Sequence, residues 1–181
     1  MSRTLILYST TDGQTLRICR RIEEVLAAPG HEVQVLPVTE AEAQLGSAGL
    51  APFDRVVIGA SIRYGKHQPA VFDFVRRHAA VLGGKPSAFF TVNVVARKPA
   101  KNTPDTNPYM KKFLRQVPWT PDLLGVFAGK INYPIYSWRD RQVIRFIMWL
   151  TNGPTAPNSV VEFTDWARVE AFAGEIAALG A

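Results

Sequence analysis

The chain has 181 residues, 47% of them hydrophobic and 20% charged, and a formal net charge of +6. That size and balance suit a soluble globular chain with one full core; no apolar run approaches the roughly 20 residues that span a bilayer, and a lone cysteine, Cys19, excludes an internal disulfide. The basic excess favours anionic partners: nucleic acid, anionic lipid headgroups or a polycarboxylate substrate.

Arg3–Ser9 (RTLILYS) opens the chain as a buried parallel strand rather than a signal peptide. Gln14–Ala28 follows as a helix, with Ile18, Cys19, Ile22, Val25 and Leu26 on its apolar face and Pro29-Gly30 as its stop. Cys19 reads there as a packed thiol. Glu32–Pro37 alternates as a second strand, with His31 in the turn before it, and Ala41–Pro52 reads as a short helix or loop. Asp54–Ala60 is a third strand. Pro69 then starts a helix with Val71, Phe74, Val75, His78, Val81 and Leu82 inward, ended by Gly83-Gly84. Ser87–Val92 is a fourth strand, Thr106–Val117 a fourth helix and Leu123–Ala128 a fifth strand. A last helix runs from about Asp165 to Leu179, with Thr164 as its N-cap.

Strands alternating with helices of crossover length predict an α/β fold, with a parallel sheet covered on both faces. The chain is expected to be one domain, 1–181, with an insertion at about 131–161. Ligands of such sheets sit beyond the carboxyl ends of the strands. Three loops fall there. The first is Ser9-Thr10-Thr11-Asp12-Gly13-Gln14-Thr15: hydroxyls, one glycine and no Lys or Arg, leading into a helix N-terminus. Backbone N–H groups, hydroxyls and the helix dipole suit one phosphate monoester, and the missing Lys argues against a nucleoside triphosphate. The second is Ser61-Ile62-Arg63-Tyr64-Gly65, where Tyr64 offers a flat ring. The third starts Asn93-Val94-Val95-Ala96-Arg97-Lys98 and offers amide and backbone groups to a polar ring edge. A phosphate pocket beside a slot for a planar heterocycle describes FMN.

The order of elements and the Thr10-x-x-Gly13-x-Thr15 loop resemble the flavodoxin family, which implies a three-layer fold with sheet order 2-1-3-4-5. Flavodoxins carry Thr or Ser directly before that glycine. Asp12 stands there instead, and fits only if its side chain turns away from the phosphate. The segments LILYSTTDGQT, FDRVVIGASIRYG, VNVVARKP and FTDW more closely resemble the bacterial menaquinone-dependent protoporphyrinogen IX dehydrogenases, from Thr4 to Leu179, where Asp-Gly-Gln-Thr is the expected form. The resemblance implies oxidation of protoporphyrinogen IX on FMN in haem synthesis, with menaquinone or another respiratory quinone as acceptor. It also implies a cytoplasmic protein held peripherally on the cytoplasmic face of the inner membrane.

Arg63, Arg97 and Lys98 are candidates to bind the two substrate propionates, the arginines first. His67 is the one side chain placed to exchange protons, although a helix-start role is commoner. No metal-ligand spacing or nucleophilic triad is present. In the insertion, Tyr133, Tyr136 and Trp138 precede Arg139, Arg141 and Arg145, and Val143–Leu150 has seven apolar residues in eight positions. Such a helix either packs internally, or serves as an interfacial helix on an anionic membrane surface or as a lipophilic substrate wall. The alternatives are a flavodoxin-type electron carrier and an NAD(P)H-quinone reductase. Carriers typically present acidic surfaces, and no second dinucleotide fingerprint is present. A nucleic-acid partner is not expected.

Overall fold

A computed structural model describes residues 2–27 and 30–180. Five strands form one parallel sheet in the order β2-β1-β3-β4-β5. They are β1 (Ser2–Ser9), β2 (His31–Pro37), β3 (Arg55–Ser61), β4 (Ser87–Asn93) and β5 (Leu123–Ala128). The connecting helices are α1 (Gln14–Leu26), α2 (Ala41–Leu45), α3 (Pro69–Gly83) and α4 (Pro108–Gln116). His31 is the first residue of β2 rather than part of a turn. The expected helix end at Ala28 and Pro29 lies outside the described residues.

Side chains alternate across the sheet with the period of a strand. Leu5, Leu7, Val56, Ile58 and Phe89 enter a core beneath α3 and α4, where Phe89 stacks on Phe113 with centroids 3.9 Å apart. Ile6, Val57, Ala88 and Phe90 enter the opposite core with Ile18, Cys19 and Ile22 of α1. Each such side chain contributes about 1.5–3 kcal/mol on burial. Val25 and Val81, expected inward, are instead 37% and 44% exposed at the margins of their helices.

Beyond β5 the chain leaves the sheet. β6 (Lys130–Asn132) and β7 (Val160–Glu162) pair as a short antiparallel ribbon that holds both ends of the excursion together. Between them lies α5 (Trp138–Leu150), started by Ser137, whose hydroxyl accepts from Asp140 N–H. Ile131, Tyr133, Tyr136 and Met148 form a small core under α5. α6 (Trp166–Ala178) then returns to the sheet and packs on α1. Its N-cap is Asp165, not Thr164. Thr164 is otherwise engaged: its hydroxyl donates to Ala128 O at 2.7 Å and accepts from Gln14 Nε2 at 2.9 Å.

Candidate active site

Register brings the three loops level. Ser9 pairs with Ala60, Ser61 with Val92 and Asn93 with Ala128, so neighbouring strands end at one edge. The cleft there is lined by Thr10, Thr11, Asp12, Gln14 and Thr15 of the first loop. Ser61, Ile62, Arg63, Tyr64 and Gly65 of the second loop and Asn93 and Val94 of the third also line it, whereas Ser9, Gly13, Ala96, Arg97 and Lys98 of the expected set do not.

The first loop is folded by its own hydroxyl: Thr10 Oγ1 accepts from Gly13 N–H at 2.9 Å. Gly13 occupies the N-cap of α1 at φ 84, in the left-handed region that favours glycine. No side chain caps α1, so its first turn presents backbone N–H groups outward. Around it the hydroxyls of Ser9, Thr15 and Ser61 are buried without a hydrogen-bond partner among the described residues. Buried polar groups are normally paired. Three orphans beside an uncapped helix N-terminus fit the oxygens of a phosphate. Asp12 does not oppose that charge, because its carboxylate is turned to Arg63 Nη1 at 2.9 Å.

The second loop is a two-residue hairpin. Arg63 and Lys66 exchange backbone hydrogen bonds of 3.0 and 3.1 Å, with Tyr64 (φ 50) and Gly65 (φ 74) at its tip. A tyrosine in that conformation is strained by about 1–2 kcal/mol, and it holds the half-exposed ring at the mouth of the cleft. Tyr64 Oη and Arg63 both reach Asp140 of α5. The hydrogen bond from Tyr64, helped by Arg63, holds the Asp140 carboxyl below the usual range.

In the third loop the Asn93 amide is spent internally. Its Oδ1 accepts from Ala96 N–H at 3.0 Å and caps a 3-10 turn at Val94–Arg97. Asn93, Val94 and Val95 face the cleft, whereas Ala96 supports them from behind. Arg97 is turned away. It donates to Val94 O and to Thr151 O, anchoring the C-terminal end of α5.

The chain matches the model of the flavodoxin domain family over residues 5–158. It is 46% identical over 177 residues to the protoporphyrinogen IX dehydrogenase (quinone) of Escherichia coli strain K12, covering 98% of this chain and 96% of that one. The corresponding Leishmania major protein is 44% identical over 98% of this chain and 75% of its own. The chain belongs to the protoporphyrinogen IX dehydrogenase (quinone) family. Among solved structures, a flavodoxin from the domain Archaea superposes with a TM-score of 0.55 at 14% identity, covering 97% and 96% of the two chains. Bacillus cereus flavodoxin 1 gives 0.52 at 14%, covering 97% of each. These confirm the flavodoxin-like fold and sheet order.

Two of the segments that carried the family resemblance meet in space, since Gln14 of DGQT is bonded to Thr164 of FTDW. Other lining residues were not expected individually, although the apolar insertion was one candidate for a lipophilic wall. Tyr109 enters from α4, and Ile131, Tyr136, Ile144, Ile147 and Met148 of the excursion close the far wall. Only the apolar density of Val143–Leu150 hinted at them. His67 lies outside the cleft. It is buried against Phe72, Phe89 and Phe113, with Nε2 3.1 Å from Thr91 Oγ1. Burial, assisted by Lys112, lowers its pKa to about 4. Among the described residues no group of side chains could hold a metal ion.

Proposed function

We propose that this protein oxidises protoporphyrinogen IX to protoporphyrin IX on a bound FMN and delivers the electrons to menaquinone, as a step of haem synthesis. The observation that carries the reading is 46% identity across 98% of the chain to a protein of that name. The three orphan hydroxyls at the uncapped N-terminus of α1 supply the matching phosphate site. When bound, FMN would supply two-electron redox chemistry, so the six-electron conversion of porphyrinogen to porphyrin would take three rounds, each reducing one quinone.

The chain's own part is binding and exclusion of water. Ser9, Thr15, Ser61 and the first turn of α1 hold the phosphate with neutral donors. Arg63 keeps the Asp12 carboxylate away from it. Tyr64 and Val94 flank the ring slot from loops two and three. Ile131, Ile144, Ile147 and Met148 make its far wall apolar. Asp12 is the one carboxylate on the cleft among the described residues and is already paired with Arg63.

The outer face of α5 supports a peripheral place on an anionic membrane, at the cytoplasmic side. Trp138, Phe146, Trp149 and Leu150 are all more than half exposed there, beside the exposed Arg139. No helix among the described residues is long and apolar enough to cross a membrane. Both lipophilic reactants would reach the cleft from that surface.

The test is anaerobic mixing of FMN-loaded protein with protoporphyrinogen IX and a soluble menaquinone analogue, following porphyrin fluorescence. Quinone-dependent porphyrin formation is expected. Rates equal to the enzyme-free control would overturn the reading, and quinone reduction only with NADPH would assign a reductase instead.

A further inference from the structure

A second cavity, of about 310 Å³, lies behind the second loop. It shares Ile62, Gly65 and Tyr109 with the cleft, so the two spaces are separated by one hairpin and one aromatic ring. Its walls are apolar at Phe72 and Tyr109, and its lining charges are Lys66, Arg76 and Lys112 against one carboxylate, Asp73. Arg76 is already occupied: it donates to Gln116 O at 3.2 Å and lies over the Phe72 ring. Lys66 and Lys112 make no side-chain hydrogen bond or ion pair among the described residues.

Unpaired lysines are ordinary on a protein surface. Elsewhere several arginines are matched, Arg3 with Glu32, Arg17 with Glu162 and Arg77 with Glu42, whereas among the lysines of the described residues only Lys85 finds a partner, Phe53 O. What distinguishes Lys66 and Lys112 is their place, since both line a hollow that abuts the cleft. Its floor carries no charge, because buried His67 stays neutral near pH 7. The arginines first expected to meet carboxylates are committed elsewhere, Arg63 to Asp12 and Asp140 and Arg97 to backbone carbonyls.

We infer that this cavity receives the carboxylate-bearing edge of the tetrapyrrole, with Lys66 and Lys112 each meeting one propionate and Phe72 and Tyr109 lying against the ring edge. The inference rests on the substrate class proposed above. Ligand pockets commonly measure about 300–1,000 Å³, so this one has room for an edge rather than a whole macrocycle. The rest of the ring would extend past Gly65 toward the cleft.

The test is binding of protoporphyrin IX and of its dimethyl ester to FMN-loaded protein in mild detergent, with turnover measured in parallel. The diacid is expected to bind at least tenfold more tightly than the diester. That preference is expected to collapse in Lys66→Gln/Lys112→Gln, with FMN affinity unchanged, and to survive in Lys112→Arg. Equal binding of diacid and diester by the unmodified protein overturns the inference, as does an undiminished preference in the double variant. The unmodified protein decides the point even if the double variant fails to fold. Lysine-dependent diacid binding without porphyrinogen oxidation would remove the proposed reaction and leave the site. Oxidation without diacid preference would do the reverse.

Discussion

Arg63 Nη2 lies 3.1 Å from Asp140 Oδ2, tying the second ligand loop to the helix of the excursion. The same guanidinium holds Asp12 at 2.9 Å and stacks over the Tyr136 ring at 4.9 Å. One side chain thus joins the phosphate loop, the ring loop and α5. The cleft beneath encloses about 140 Å³, below the range of about 300–1,000 Å³ usual for ligand pockets. Seating the proposed flavin there would call for α5 and the hairpin to part.

Arg63→Met should loosen that closure. FMN dissociation is expected to speed up about tenfold, which corresponds to about 1.4 kcal/mol, with faster proteolysis within 133–155. Asp140→Asn should reproduce part of the effect, and the double variant should fall short of additivity because the two residues share one contact. Stopped-flow release of FMN measures this; additive effects would show that Arg63 acts through Asp12 alone.

The orphan hydroxyls give a prediction of opposite sign in the two forms of the protein. A buried unpaired hydroxyl costs about 1–3 kcal/mol, and replacing it by an apolar group of like shape is neutral or favourable. Thr15→Val and Ser61→Ala should leave the melting temperature of the FMN-free protein unchanged or raised. Each should weaken FMN binding about tenfold. A loss of stability without FMN would mean that these hydroxyls serve the fold.

The alternation of strands and helices and the three loops were legible because they follow from local signals, strand and helix periods and polar loops at strand ends, whereas the sheet order came from the family resemblance. Pairings between distant residues were not. Arg63 and Arg97 look like free cations in sequence, yet Arg63 meets Asp12 and Asp140, and Arg97 meets Thr151 O, all 51 or more residues away. Ile144 and Met148 line the cleft only because the three-residue strands β6 and β7 fold the excursion back. Strands that short carry no readable alternation. Asp12, odd for a flavodoxin, is explained by Arg63, a residue in another loop.

His67 makes stability pH-dependent. Its native pKa is about 4, against 6.5 for the ordinary imidazole. Between those values the unfolded chain binds the proton and the native chain does not, so stability falls as pH drops from 6.5 toward 4. The loss attributable to His67 reaches about 3 kcal/mol at the lower end. His67→Gln, which retains a partner for Thr91, should abolish that part. The difference between urea denaturation of the two proteins at pH 7.5, 5.5 and 4.5 isolates it from the carboxylates. Parallel profiles would show that His67 is protonated in the native protein.

A side chain at Gly59 should be poorly tolerated. A Cβ built there collides with the ring of Phe90, which is fully buried between β3 and α6. Gly59→Ala must displace that ring or part the strands, and overpacking of this kind costs about 1–3 kcal/mol. Gly59→Ala combined with Phe90→Leu should recover part of the loss, measured as urea midpoints; no recovery would mean that the backbone at 59 is at fault.

The outer face of α5 yields the last prediction. Trp138 is 72%, Trp149 67% and Phe146 59% exposed, an unusual cluster for a surface helix. Burying the remaining area of three such side chains in a headgroup layer is worth a few kcal/mol at roughly 25 cal/mol/Å². On the proposed membrane surface that would give reversible attachment, to which Arg139 would add about 1 kcal/mol. Phe146→Glu/Trp149→Glu should therefore abolish sedimentation with vesicles containing anionic lipid. It should spare FMN affinity and turnover with a soluble quinone analogue, since Ile144, Ile147 and Met148 on the inner face are untouched. Turnover with a long-chain quinone embedded in vesicles should fall with the binding. Undiminished vesicle binding would assign these aromatics another partner and detach the membrane from the proposed reaction.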